Sequence, residues 1–162
     1  MVWTPKFAAV FDEPIINNAL TVITRDFKLG LDYFYPGQSL PDFKERALGQ
    51  IQGNGYPSLA IGPAENETVQ ADDDSYIVEA ARVVIYIGVT DDGPTTVTRK
   101  IMKYVRVMDA VLRSAKNDFF TGMSNPGGVY LEIRHSYDSL RGEKPSYFRA
   151  AVIELTVNIS ER

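Results

Sequence analysis

The sequence contains no cysteine and a single histidine, His135, among its 162 residues. The lack of cysteine excludes disulfides, thiolate catalysis and cysteine-ligated zinc sites. One histidine is too few for most histidine-ligated metal sites, and it argues against a Ser-His-Asp catalytic apparatus. No apolar run reaches the roughly 20 residues that a membrane-spanning helix needs. The N-terminus also lacks a signal-peptide pattern, so we expect neither feature.

The chain also lacks an excess of positive charge. It has 17 lysine and arginine residues against 21 acidic residues, which gives a formal net charge of −4 at pH 7. This balance argues against a protein that grips nucleic-acid phosphates. Hydrophobic residues make up 44% and charged residues 23%, which is typical of a folded globular chain. The length suits one domain and no linker divides the sequence, so we predict a single domain over residues 1–162.

Motifs for nucleotide binding and zinc hydrolysis, such as GxGxxG, Walker A and HExxH, are absent. A polar loop carries the acidic residues Glu65, Glu67, Asp72, Asp73 and Asp74. They lack the oxygen spacing and central glycine of a calcium loop, so we favour a solvated loop over a cation site. His135 falls on the apolar side of its predicted strand, and we favour a structural, core-facing role over a general base. We therefore predict no catalytic residue, no metal and no cofactor.

Two segments have helical periodicity. The first runs from Asp12, a candidate N-cap, to about Phe27, and Gly30 is predicted to end it. The second begins with Thr95 or Thr96 as its cap and ends near Ser114. Its apolar stripe consists of Val97, Ile101, Tyr104, Val105, Met108, Val111 and Leu112. Its outer face carries Arg99, Lys100, Lys103, Arg106 and Arg113. For this face we favour solvent exposure over ionic contact with an acidic neighbour.

Four segments alternate in the manner of strands: Tyr56–Gly62, Ser75–Thr90, Val129–Asp138 and Tyr147–Ile159. In the second of them, the predicted core face consists of Ala81, Val83, Ile85, Ile87 and Val89. The opposite face, with Ala80, Arg82, Val84 and Tyr86, is more apolar than a solvated face. It suits contact with another chain, burial by a loop, or a central strand that is covered on both sides.

The element order predicts the fold class. Helix, strand, strand, helix, strand, strand is typical of an α+β fold: a four-stranded, mainly antiparallel sheet with two helices on one face. The segment Leu31–Gly55 reads as irregular because of its prolines and glycines, with a possible short helix at Asp42–Leu48. The segment Arg141–Pro145 reads as the turn between the last two strands.

The pattern from residue 56 onward resembles that of a known family. A strand that begins Tyr56-Pro57 precedes a long strand with the letters VVIYIGV at 83–89, and a helix with arginine and leucine near its end follows. Two long strands, predicted as a hairpin, close the chain. This order resembles the tail terminator proteins of long-tailed bacteriophages over residues 56–162, and the N-terminal helix also fits. The long segment Leu31–Gly55 departs from the more compact members.

The resemblance implies a structural virion protein that forms a ring, usually of six subunits, on the tail tube. Such a ring ends tube polymerisation at the correct length and joins the tail to the head. The implied partners are further copies of the chain, the tail tube protein and a head-completion or neck protein. DNA would only pass through the channel, and no membrane is involved. The implied location is the tail and neck of the virion, after assembly in the host cytoplasm.

A ring requires an assembly surface, and the residue pattern offers candidates. The predicted interface residues are Arg82, Tyr86, Lys100, Lys103, Arg106, Asp72, Asp73 and Asp74. A ring is built from head-to-tail contacts, so complementary charges on different edges of one subunit would suit it. The aromatic and apolar side chains of the second face of the Ser75–Thr90 strand are expected to contribute most of the affinity, because exposed ion pairs are weak.

Other functions fit parts of the pattern. A head-completion or neck connector protein of the same phage would form a ring of related fold. A small-molecule enzyme on a ferredoxin-like sheet would need a pocket with converging polar groups and a perturbed acid. A nucleic-acid-binding α+β module is disfavoured by the acidic charge and by the absence of a basic, aromatic strand face.

Overall fold

The computed structural model describes residues 2, 12–38, 42–43, 57–63, 77–115, 118 and 128–161. The elements in chain order are α1 (Asp12–Phe34), β1 (Asp42–Phe43), β2 (Ser58–Pro63), β3 (Ile77–Asp91), α2 (Pro94–Ser114), β4 (Gly128–Tyr137), β5 (Arg141–Glu143) and β6 (Ser146–Glu161). The predicted α+β class is confirmed. The four predicted strands are β2, β3, β4 and β6, and two short strands that the sequence did not predict join them.

The sheet has the strand order β1-β2-β3-β6-β4, and β5 pairs with the start of β6. The long pair β3 and β6 runs antiparallel from Ile77 opposite Glu161 to Asp91 opposite Tyr147. Among the other described pairings, β1 runs parallel to β2 and the rest are antiparallel. In this order β3 and β6 are central, whereas β4 is the last strand of the described sheet.

Both helices pack on the same face of the sheet, as predicted. Alternate residues of the strands contact the apolar stripes of α1 and α2 in one cluster. The strand residues of this core are Leu59, Ile61, Val83, Ile85, Ile87, Val89, Ala151, Ile153, Leu155 and Val157, all at most 1% exposed. The core face predicted for β3 is thereby confirmed at Val83, Ile85, Ile87 and Val89. The two-residue period of a strand places the alternate residues on the second face of the sheet.

The helix α2 begins one residue before the predicted caps. Gly93 is the N-cap and Pro94 opens the first turn, without a side-chain cap. Proline suits this position because its fixed φ is helical and its missing N–H would have no partner there. Thr95 and Thr96 therefore lie inside the helix, and the prediction that one of them caps it was wrong. The predicted stripe is buried throughout, together with Val107, and the predicted end at Ser114 is confirmed.

The helix α1 does not end at Gly30. It continues for another turn to Phe34, so the predicted irregular segment begins after that residue. Gly30 lies where the two helices cross: a Cβ built on it would be 3.1 Å from Val107 Cγ1 and 3.2 Å from Val111 Cγ2. The glycine was interpreted as a stop signal, but its small size serves helix packing.

Two further predictions about connections need correction. Asp42 and Phe43 form the strand β1 beside Ser58 and Leu59, not the start of a short helix, and residues 44–48 lie outside the described structure. The predicted turn at Arg141–Pro145 contains the strand β5, whose Gly142 has a φ of +88°. A Cβ there would lie 2.5 Å from the Ser146 carbonyl oxygen, so this tight return requires glycine.

Candidate functional site

The second face of the sheet, on the side away from the helices, carries two of the predicted interface residues. Tyr86 lies between Ala60 of β2 and Val152 of β6 in the strand register. The Tyr86 and Val152 side chains are both half-buried. This aromatic and aliphatic pair occupies the centre of the sheet, where neither described helix covers it.

Arg82 lies on the same face of β3, two residues before Val84. Its guanidinium is 3.7 Å from the Glu154 carboxylate of β6, and the two side chains are 41% and 44% exposed. Arg134 of the edge strand β4 is the residue paired with Glu154 on its other side. The register therefore places Arg134 and Val152 on the same face as Arg82 and Tyr86.

The second face is not uniform across the sheet. Toward β2 it is made of small buried residues, namely Ser58, Ala60, Gly62, Gly88 and Ala150. Ser58 is fully buried, and its hydroxyl oxygen has no hydrogen-bond partner within the described structure. Toward β4 the face carries larger side chains that are charged or polar, and these are partly or fully exposed. The part of the second face that could contact another protein is thus the part formed by β3, β6 and β4.

Lys100 of α2 is engaged within its own chain. Its Nζ is 3.2 Å from Asp91 Oδ2 and donates to the Thr90 carbonyl at 3.1 Å. Burial opposes ionisation of Asp91, but hydrogen bonds from the Asp92 amide and from Lys100 outweigh it and hold the pKa of Asp91 below its ordinary value. Of the predicted basic residues, Lys100 therefore anchors α2 to the end of β3.

Lys103 and Arg106 lie over aromatic rings at the end of α1. The Lys103 Nζ is 5.3 Å from the centroid of Tyr35, and the Arg106 guanidinium is 4.6 Å from the centroid of Phe34. Arg106 Nη1 also donates to the Tyr35 hydroxyl at 3.1 Å. Cation–π contacts of this kind contribute about 0.5–1 kcal/mol each at exposed sites. They fix both side chains against the helix surface.

Two shallow grooves flank this part of α2. One, of about 480 Å³, lies at the start of the helix and is bordered by Gly37 and Gln38, together with Arg99, Lys100 and Lys103. The other, of about 510 Å³, lies between α2 and the edge strand β4. Its lining is mostly apolar, whereas the first groove has a mixed lining in which the acidic Asp91 lies beside the basic side chains.

His135 borders the groove between α2 and β4 and is exposed, so the predicted core-facing role is wrong. The register does place it opposite Ile153, on the helix side of the sheet. However, β4 is the last strand of the described sheet, and the helix layer does not extend over this end of it. The ring of His135 instead lies 5.6 Å from the ring of Tyr137.

Sequence reasoning did not single out the apolar residues of this groove. Met102 is 52% exposed and Tyr137 is 36% exposed, and both line the groove with Tyr35. Met102 interrupts the basic outer face of α2, which is the one signal in the sequence that marks it. Burial raises the pKa of Tyr137 above its ordinary value, and the nearby Arg149 partly opposes this.

The predicted interface residues fall into separate places. Arg82 and Tyr86 lie on the second face, whereas Lys100, Lys103 and Arg106 lie on α2 across the sheet. The structure does not bring these two sets together. Asp72, Asp73 and Asp74 lie outside the described residues.

Within the described ranges, no three acidic or histidine side chains converge as they would to hold a metal ion. None of the described helices combines the length and apolar character needed to span a membrane. No protein-family model and no curated protein matches the chain. The fold itself defines a class: the chain is an α+β protein whose two helices pack on one face of the sheet.

Proposed function

We propose that the chain is a structural virion protein that caps the tail tube of a long-tailed bacteriophage as a ring of six copies. It ends tube polymerisation and forms the tail side of the head–tail joint. The observation that carries the proposal is the second face of the sheet, where central strands present half-buried Tyr86 and Val152 beside an exposed charge pair. The order of elements, which resembles the tail terminators, supplies the class of assembly.

A protein surface of this composition suits contact with other proteins. Aromatic residues are enriched at the centres of interfaces, and charged residues around them exclude wrong partners. The Arg82–Glu154 pair is exposed and contributes at most about 1 kcal/mol to the stability of the monomer. Its charges are therefore available to a neighbouring subunit or to the tail tube at small cost.

The charge of the chain also suits a ring around DNA. Each copy has a formal net charge of −4, so six copies would repel phosphates from the wall of a channel. Such a wall lets the genome slide instead of holding it. A nucleic-acid-binding protein would need the opposite balance.

The first experiment is electron microscopy of the purified protein, combined with sedimentation. We expect rings with a central hole and a mass six times the 18.1 kDa of one chain. A chain that remains monomeric at every concentration tested would contradict the proposal. If the purified protein were found to hold a small-molecule substrate in a pocket, the enzyme alternative would be favoured instead.

The second experiment separates a tail terminator from a head-completion protein. The tail tube protein of the same phage is allowed to polymerise with and without this chain, and tube lengths are measured by microscopy. We expect added chain to bind tube ends and to stop growth. Binding to isolated DNA-filled heads, with no effect on tube length, would replace the terminator function with that of a neck connector.

A further inference from the structure

An apolar groove lies on the helix side of the sheet, between α2 and β4, and we call it the α2–β4 groove. It has a volume of about 510 Å³, and most of its lining is apolar. Met102 of α2 and Tyr137 of β4 both line it and are both exposed, although methionine is among the residue types most often buried in proteins. The groove is therefore apolar surface that no described element covers.

The α2–β4 groove lies where the helix layer ends. The helix α1 contacts β2 and β3, and α2 contacts β3 and β6. The strand β4 follows β6 in the described strand order. Because packed helices lie about 8–10 Å apart and strands about 4.8 Å apart, the next place in the layer is beside α2 and over β4. The groove marks the position of a further helix, which the described part of the chain does not provide.

Three cations line the groove along α2. Arg99, Lys103 and Arg106 lie on one side of the helix, at spacings of four and three residues. No described carboxylate lies within 4.0 Å of any of them. Asp109, which also lines the groove, pairs with Arg113 at 2.9 Å. The lining therefore has a surplus of positive charge that its described surroundings do not neutralise.

Contacts within the chain hold the walls of the groove in place. The Tyr35 hydroxyl accepts a hydrogen bond from Arg106 at 3.1 Å. Arg149 of β6 donates through Nη1 to Thr98 Oγ1 at 2.9 Å and through Nε to the Asp138 carbonyl at 3.1 Å. These two bonds join α2 to the residue that follows β4. Groups that are fixed before binding lose less entropy when a partner binds.

We propose that the α2–β4 groove binds an acidic, amphipathic helix of another protein. The apolar side chains of this helix, spaced by three and four residues, pack on Met102 and Tyr137, as in other complexes of a helix with a groove. Its carboxylates lie toward α2, where they face Arg99, Lys103 and Arg106. The ring proposal depends on the other face of the sheet, so this inference goes beyond it and does not rest on it.

The charge of the groove decides which occupant it takes. A basic segment would be repelled by the three cations. An uncharged segment would remove water from them without replacing the lost hydrogen bonds, which costs free energy. An acidic helix with one apolar side satisfies both the cations and the apolar lining.

A peptide library tests the chemistry of the occupant. Its members have about 14 residues and are therefore about 21 Å long as helices. They carry apolar residues at helical spacing and glutamate, glutamine or lysine at the other positions. We expect selection on the immobilised chain to enrich glutamate and deplete lysine, and the selected peptides to become helical on binding. Selection of lysine-rich or uncharged peptides, or of none, would overturn the inference.

The role of the cations is tested by Lys103→Gln with Arg106→Gln. We expect this change to weaken binding of a selected peptide at least about tenfold in fluorescence anisotropy, because it removes two of the three facing charges. The matched control is Lys28→Gln with Arg141→Gln, which removes the same charges at exposed positions outside the groove. A circular dichroism spectrum for each variant checks that it is folded. Equal affinities of the variant and its control would contradict the assignment.

The apolar lining is tested by Met102→Gln, with Leu29→Gln as its control because Leu29 is exposed on α1. We expect the first change to weaken peptide binding at least about tenfold, as the loss of a central apolar contact does in other interfaces. The control should bind as the wild type does. An unchanged affinity for Met102→Gln would show that the peptide lies elsewhere.

The place of binding has its own spectroscopic probe. His135 is the only histidine in the sequence and it lines the groove, so in untagged protein its imidazole proton signals in NMR spectra need no further assignment. We expect these signals to shift as the selected peptide is added. A peptide that binds the chain without moving the His135 signals occupies another surface, and the inference is then overturned.

Sedimentation distinguishes another protein from a second copy of this chain. We expect Met102→Gln to self-associate as the wild type does. If the substitution abolishes self-association, a neighbouring copy occupies the groove, and the inference is overturned while the ring proposal stands. A wild type that stays monomeric but binds the acidic peptide in the groove overturns the ring proposal and supports this inference.

Discussion

Gly30 of α1 lies against Val107 of α2 so closely that a Cβ on the glycine would be 3.1 Å from the valine Cγ1. Glycine within a helix costs about 1 kcal/mol relative to alanine. The crossing of two helices at this residue accounts for its presence, because a larger side chain would push the helices apart.

We therefore expect Gly30→Val to lower the free energy of unfolding by about 1–3 kcal/mol, as overpacking does in other cores. Urea unfolding followed by circular dichroism measures the change. The control is Leu29→Val, because Leu29 is 65% exposed on the same helix and its change should have a small effect. Equal effects of the two substitutions would mean that the helices do not cross at Gly30.

The core depends on the contact of α2 with the central strands. Ile101 and Leu155 are both fully buried in it, so Ile101→Ala and Leu155→Ala should each cost about 2–5 kcal/mol. The adjacent Met102→Ala serves as the control, since Met102 is 52% exposed. Thermal unfolding measures all three, and unchanged midpoints for both core variants would show that the buried faces are assigned incorrectly.

The hydroxyl of Ser58 is a different kind of buried group. It is inaccessible and has no hydrogen-bond partner in the described structure, and an unsatisfied buried polar group costs about 1–3 kcal/mol. Replacement by alanine removes this cost with little change of volume. We expect Ser58→Ala to leave stability unchanged or to raise it by about 1 kcal/mol, against no change for the exposed Ser136→Ala. A loss above about 1 kcal/mol would reveal a partner for the hydroxyl.

The fold was predictable wherever periodicity and burial agree. In α2 nearly every apolar residue lies on one buried stripe, and in β6 the core residues from Ala151 to Val157 alternate strictly with those of the second face. A single sequence therefore sufficed to predict the type of both elements and their buried sides. The face on which His135 lies was also predictable, but its exposure was not, because exposure depends on β4 being at the end of the strand order. Strand order comes from pairings between distant segments, which alternation within a strand does not specify.

The surface around α2 shows the same limit. The spacing of Lys103 and Arg106 predicted a common basic face, but not that Tyr35 would lie beneath it, because Arg106 and Tyr35 are 71 residues apart. Gly30 was misread for a related reason. A glycine that ends a helix and one that accommodates a neighbouring helix look alike until the neighbour is known.

Tyr104 provides a test of the core through pH. Burial raises the pKa of its hydroxyl from 10.0 to about 12, so the unfolded chain releases this proton at a lower pH than the folded chain does. The contribution to stability is therefore constant below about pH 10 and falls between about pH 10 and 12. The loss amounts to about 1.4 kcal/mol for each unit of pKa difference.

We expect the unfolding free energy of the wild type to fall more steeply between pH 10 and pH 12 than that of Tyr104→Phe, which lacks the titrating group. Denaturant unfolding of both proteins at a series of pH values measures the difference, and other titrating groups cancel in the comparison. Parallel curves would mean that the hydroxyl of Tyr104 is accessible to solvent.

The final prediction concerns the second face of the sheet. Arg82→Glu with Tyr86→Ala removes the aromatic side chain at its centre and reverses the charge beside Glu154. Arg82 is 41% exposed in its side chain, so the loss of its ion pair should cost the monomer at most about 1 kcal/mol. Assembly, by contrast, should suffer strongly, because central aromatic residues dominate the affinity of interfaces.

We expect the double variant to fold but to form fewer rings in sedimentation, and phage that carry it to have tails of abnormal length by microscopy. The matched control is Arg113→Glu with Tyr33→Ala, which makes the same chemical changes on the helix side, where Tyr33 is 80% exposed. If a folded double variant gave normal rings and normal tails, the second face would not be an assembly surface. The ring itself would then depend on contacts elsewhere.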